Sequence, residues 1–185
     1  MPSEVEVKFH VDDLNALRER LQKIGFQEIT PRTHEFNTLY DSNGRLRRRG
    51  ELLRIRKYGD RWVLTHKAKS HDARHKTRLE TETRIEDGEA LGRIFESLGF
   101  DPQFSYEKFR SEWTDGQGHV VLDETPIGDF GEIEGSPGWI DAIAQKIGVD
   151  EANYITKSYA DLFFDWTNKH NSWAKNMTFA EVKSK

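Results

Sequence analysis

The sequence predicts an α+β fold, an eight-stranded antiparallel β-barrel with helices packed on its outside. Three observations predict it. Charged and apolar residues alternate in repeated short segments, as in Glu4-Val5-Glu6-Val7-Lys8-Phe9, and a strand sends alternate side chains to opposite faces. Leu- and Ile-rich stretches at helical spacing lie between these segments and supply a cover for their apolar face. Left open, the charged parity would be an unusually charge-dense wet face; closing eight strands turns it into a lumen with room for side chains and a small ligand.

The elements follow in order. The first strand, 4–9, sets Glu4, Glu6 and Lys8 against Val5, Val7 and Phe9. A helix over 11–25 carries Leu14, Leu17, Leu21 and Ile24, with Asp12 or Asp13 as its cap and Gly25 as its stop. A strand at 36–41 leads into a polar loop, 41–50, whose basic run Arg45 to Arg49 reads as solvated or as an attractor of anions. The strand at 51–57 puts Arg54 and Arg56 on one face, and Gly59-Asp60 turns it into the strand at 62–69, where Thr65, Lys67 and Lys69 share a face. After a polar loop at 70–75, the longest alternation, 76–86, aligns Lys76, Arg78, Glu80, Glu82 and Arg84. Asp87 caps a helix through Leu98, closed by Gly99. Strands at 106–113, 119–123 and 128–135 add Lys108 and Arg110, Asp123, and Glu132 with Glu134. Ser136-Pro137 opens a helix ending at Gly148, and 154–166 reads as a last helix. Residues 1–166 form one domain, and 167–185 a polar tail of open structure.

At 185 residues the chain is long enough for a single sizeable core. Its 32% charged and 35% hydrophobic content would suit disorder if the apolar residues were scattered, but they are periodic. A net charge of −4 gives nucleic-acid binding no support. There is no cysteine, no apolar run of membrane-spanning length and no basic-then-apolar leader, so the expectation is a cytoplasmic protein without a membrane partner. Its oligomeric state is left open.

Lys and Arg donate charge-assisted hydrogen bonds to phosphate oxygens. Carboxylates beside a phosphate would repel it unless bridged by a hard cation such as Mg²⁺ or Mn²⁺. A lumen mixing both signs therefore suits a metal-bound phosphate chain.

Seven ordered segments carry a family resemblance: Glu4-x-Glu6-x-Lys8, Leu53-Arg54-Ile55-Arg56, Leu64-Thr65-x-Lys67, Arg78-x-Glu80-x-Glu82, Lys108-x-Arg110, Leu122-Asp123 and Glu132-Ile133-Glu134. Over roughly residues 1–165 the chain resembles the CYTH domain of the triphosphate tunnel metalloenzymes, which include class IV adenylyl cyclases, thiamine triphosphatases and inorganic triphosphatases. The resemblance implies that Glu4, Glu6, Glu132 and Glu134 hold Mg²⁺ or Mn²⁺, with Asp123 as a further ligand. It implies that Lys8, Arg54, Arg56, Lys67, Arg78, Lys108 and Arg110, with Lys69 and Lys76 alongside, bind a triphosphate-containing small molecule. Glu4, Glu6 and Lys8 would serve the reaction itself. Glu82 would orient cations or meet the attacking water, and Lys157, before Ser158-Tyr159, would reach the tunnel. The implied activity is metal-dependent hydrolysis of inorganic or organic triphosphate, favoured by the L-T-x-K form at Leu64 to Lys67. Cyclisation of ATP and binding without turnover are the alternatives. Replacing Glu132 or Glu134 by Gln is expected to abolish activity with little loss of stability.

Overall fold

The computed structural model describes residues 3–69 and 76–182, with side chains from 5–69 and 77–182. The predicted loop at 70–75 lies outside the described residues. Eight strands close into an antiparallel barrel: β1 (Ser3–Val11), β2 (Gln27–Asp41), β3 (Leu52–Tyr58), β4 (Arg61–Lys67), β5 (Lys76–Ile85), β6 (Asp101–Thr114), β7 (His119–Thr125) and β8 (Gly128–Glu134). Around the barrel their order is β1-β5-β4-β3-β2-β6-β7-β8. Among the described residues six α-helices surround it: α1 (Leu14–Lys23), α2 (Arg45–Arg49), α3 (Gly88–Ser97), α4 (Pro137–Ile147), α5 (Tyr159–His170) and α6 (Phe179–Val182). No helix among the described residues is long and apolar enough to cross a membrane.

The outward parity makes the main core. Val7 and Phe9 of β1, Trp113 of β6, Val120 and Leu122 of β7 and Ile133 of β8 are buried against Leu17 and Leu21 of α1 and Ile140, Ile143 and Ile147 of α4. Burying such side chains contributes about 1.5–3 kcal/mol each. Asp13 caps α1, accepting from the Asn15 and Ala16 amides, and Asp87 caps α3 through the Ala90 amide. α3 lies close on the other side of the wall, since a Cβ on Gly88 would stand 2.1 Å from the Trp62 ring and one on Gly92 2.6 Å from the Tyr40 hydroxyl.

A second core closes over inward positions. Tyr106 of β6 and Phe130 of β8 pack with Tyr159 and Phe163 of α5 and with Met177, and Leu39 of β2 joins them. Residues beyond α5 return to the barrel here: Met177 donates its amide to Ser105 O and accepts from the Glu107 amide, both at 3.0 Å. Met177 is fully buried.

Four local expectations need correction. The 45–49 run is a helix, because both Asp41 carboxylate oxygens accept from its first amides, at Leu46 and Arg47, and Gly44 and Gly50 adopt left-handed backbone at its ends. β2 starts nine residues earlier than expected, because bulges near Thr30 and Thr33 break its alternation. β6 likewise begins at Asp101. α5 starts at Tyr159 with a Ser158–Asp161 capping box, while Ile155 instead pairs backbone to backbone with Lys8.

Candidate active site

The inward parity of the barrel encloses a cavity of about 720 Å³. Among the described residues seven basic side chains line it: Lys8 from β1, Arg54 and Arg56 from β3, Lys67 from β4, Arg78 from β5, and Lys108 and Arg110 from β6. Six carboxylates stand among them, Glu6, Glu80, Glu82, Glu112, Glu132 and Glu134. The rings of Tyr106 and Tyr159 complete part of the wall.

Register explains the pairing of signs. Lys8 faces Glu132 across β1 and β8, Lys67 faces Glu80 across β4 and β5, and Arg110 faces Asp123 across β6 and β7. Each pair is an ion pair, at 2.5, 2.8 and 2.6 Å. Arg110 also reaches Glu132 at 2.5 Å, and Lys108 donates to Asp123 at 2.9 Å, so β1, β6, β7 and β8 share one network. Arg56 donates to Glu82 at 2.9 Å, and Thr65 donates to the same oxygen at 3.0 Å. Arg54 donates to the hydroxyls of Tyr106 and Thr65, both at 3.3 Å. Arg78 is fixed by the carbonyls of Ala68 and Gly50.

The electrostatics favour ionised forms in spite of burial. Burial would push the Glu132 carboxyl up, but Arg110, Lys8 and Lys108 hold it well below the usual carboxylate range. Burial opposes the charge on Lys8 too, yet Glu132, Glu6 and Asp123 outweigh it and raise the ammonium pKa. Burial and the Asp123 charge push the Tyr159 phenol well above 10, so it keeps its proton and donates it to Asp123 at 2.5 Å.

Of the residues expected to bind or react, Glu6, Lys8, Arg54, Arg56, Lys67, Arg78, Glu82, Lys108, Arg110, Glu132 and Glu134 share this one cavity. Asp123 lies beneath its floor with no exposed surface, its oxygens taken by Lys108, Arg110 and Tyr159. Asp123 is thus a buried counter-ion in this structure. Lys157 is outside the lining, 57% exposed, with its ammonium on Asp165, because the chain reaches α5 from outside the wall. Lys69 follows the end of β4 and is exposed. The Glu4 and Lys76 side chains lie outside the described ones, and their backbones pair with Arg78 and Glu6.

Sequence reasoning missed Glu35, 1% exposed, which stands 3.6 Å from Lys108 and 3.8 Å from Arg56. Burial disfavours its charge, but Lys108, Arg110, Arg56 and Arg54 drive its carboxyl far below the usual range. The alternation Glu35, Asn37, Leu39 was the available signal; Asn37 donates to Glu35 at 2.9 Å. Tyr106 and Glu112 were missed as well, although both share the parity of Lys108 and Arg110.

Among the described residues no three His, Asp or Glu side chains gather as a ready-made metal cage. Glu6 and Glu134 are nevertheless directly opposite across β1 and β8. Like charges so placed repel, and a hard cation between them relieves the repulsion. One or two carboxylates, with waters and substrate phosphates, suffice for Mg²⁺, so the donor set fits.

The CYTH domain family matches residues 2–159. A Methanocaldococcus jannaschii protein named "putative adenylate cyclase" is 31% identical over 170 residues, covering 86% of this chain and 97% of that protein. A solved Pyrococcus horikoshii structure is 26% identical with a TM-score of 0.75, covering 88% of this chain and 98% of its own. A Hippeastrum protein, named a "putative adenylyl cyclase" and described as having a dominant triphosphatase activity, shares the fold at 16% identity and a TM-score of 0.65, over 89% of this chain and 96% of that one.

Proposed function

Because this chain belongs to the CYTH domain family, whose members are enzymes that bind triphosphate-containing substrates, we propose that it is a divalent-metal-dependent triphosphatase. The observation that carries this reading is one cavity lined, among the described residues, by seven cations on five strands, with Leu52 and Val121 as its aliphatic side chains and two tyrosine rings. Such a lining recognises phosphates and asks little of an organic group.

The roles follow from position. Lys8, Arg54, Arg56, Lys67, Arg78, Lys108 and Arg110 hold the phosphate chain, Arg by its planar fork and Lys as a point charge. Glu35, Glu82 and Asp123 orient those cations from behind, so that their donors are in place before substrate arrives. Glu6 and Glu134, with Glu4 on the same parity of β1, would hold Mg²⁺ or Mn²⁺. That ion would neutralise charge on the phosphate oxygens when bound. Attack of water on a terminal phosphorus breaks the bond from that phosphorus to its bridging oxygen and releases phosphate and the shortened chain, whose developing charge the cationic cradle takes up.

The 31% identical relative's name favours a second reading, cyclisation of ATP to cyclic AMP and pyrophosphate on the same residues. Incubation with inorganic triphosphate, thiamine triphosphate and ATP, each with Mg²⁺ or Mn²⁺, separates the two. Phosphate release from triphosphate supports hydrolysis. Cyclic AMP and pyrophosphate from ATP, with triphosphate left intact, would overturn it.

A further inference from the structure

Tyr159 enters the cavity wall from α5, outside the barrel, and is 7% exposed. Its ring stands edge-on to Phe130, with centroids 5.6 Å apart and planes at 84°, and tilted against Tyr106 at 6.1 Å. Two ammonium groups from different strands rest over the same ring, Lys8 Nζ at 4.7 Å and Lys108 Nζ at 4.6 Å from its centroid. The hydroxyl donates to Asp123, the carboxylate that also accepts from Lys108 and Arg110.

A lysine is a point charge on a flexible four-carbon stem, so its place in a cavity is set by what surrounds the ammonium. A desolvated aromatic face attracts a cation without neutralising it, unlike a carboxylate. The ring therefore helps to hold two buried cavity cations that also pair with Glu132 and Asp123, and the hydroxyl fixes Asp123, which orients Arg110 as well. We propose that Tyr159 is a positioning residue that sets Lys8 and Lys108 for the phosphate chain, so that docking of α5 on the barrel is coupled to substrate binding. This rests on the reading of the cavity as a triphosphate site.

The test compares Tyr159→Phe, which keeps the ring, with Tyr159→Met, which fills the space with a flexible apolar chain. Tyr159→Leu serves as the non-aromatic variant if Tyr159→Met does not fold by circular dichroism. The non-aromatic variant should raise KM for triphosphate about tenfold with kcat changed less than about threefold, while Tyr159→Phe stays within about threefold of the native KM. A substrate-independent readout accompanies it: the rate at which an amine-acylating reagent modifies Lys8 and Lys108, followed by peptide mass spectrometry. That rate should rise roughly fivefold in the non-aromatic variant and stay near native in Tyr159→Phe. Equal acylation rates in the two variants, or a native KM in a folded non-aromatic variant, would overturn the proposal. If the native protein neither binds nor hydrolyses triphosphate, the proposed function fails, and acylation still decides the role of Tyr159.

Discussion

Glu132 and Glu134 share a parity on β8 yet differ in burial. Glu132 is buried and paired with Lys8 and Arg110, whereas Glu134 is exposed and opposite Glu6. Glu132→Gln should therefore destabilise the protein by about 3 kcal/mol, against the expectation of little loss, because it removes an anion that two buried cations share. Glu134→Gln should cost less than about 1 kcal/mol, since interactions of an exposed carboxylate are screened by solvent. Urea unfolding of both variants checks the split, and two equal losses would refute it. A pH dependence follows from Glu35 and Glu132, whose carboxyls are held below 4.5 in the folded state. Their stabilisation is present above the unfolded value and is lost as pH falls below about 4.5 through the folded values. Melting temperature should accordingly be level at neutral pH and drop on acidification, and Glu35→Gln should flatten part of the drop. The lumen carboxylates and cations of β3, β5, β6 and β8 were legible because strict alternation fixes a face. Glu35 was not, since bulges earlier in β2 obscured the strand, and the burial of Asp123 depends on α5 closing beneath it.

At the scale of elements, the sequence revealed the caps and apolar stripes of α1, α3 and α4, all of which depend on local spacing. It did not reveal the return of the chain after α5, where Met177 joins the aromatic cluster through contacts distant in sequence. Met177→Ala should cost about 3 kcal/mol by leaving a cavity among Tyr106, Tyr159 and Phe163, measured by denaturant unfolding. A loss under about 0.5 kcal/mol would mean that the segment merely rests on the barrel. α2 was expected as a loop, but as a helix it exposes Arg45, Arg47, Arg48 and Arg49 beside Gly50, whose carbonyl holds the cavity residue Arg78. This puts positive charge next to the cavity wall. An anionic substrate should be steered there, so Arg45→Gln with Arg47→Gln should lower kcat/KM about threefold at low ionic strength. The difference should vanish at about 0.5 M salt, where screening acts over a few ångströms. The same deficit at all salt concentrations would exclude steering.

At the scale of the whole molecule, a chain of net charge −4 gathers seven of its described cations around one cavity by closing its sheet. The cavity carboxylates make this feasible without ligand: Lys8, Arg56, Lys67 and Arg110 each have a partner anion within 2.9 Å. Binding a phosphate chain must then exchange internal ion pairs for phosphate contacts, with a divalent ion offsetting the charge of the displaced carboxylates. Folding and metal binding should separate as a result. A chelator should abolish turnover and leave the ligand-free melting temperature unchanged, because the barrel's ionic balance is internal. Triphosphate with Mg²⁺ should stabilise the fold by about 2.7 kcal/mol at a hundredfold excess over Kd, and by much less when chelator is present. Thermal melts with triphosphate, Mg²⁺ and chelator, singly and combined, measure these terms. A ligand-free protein that unfolds on chelation would show that the metal belongs to the fold, and full stabilisation by triphosphate without metal would show that the cations alone complete the site.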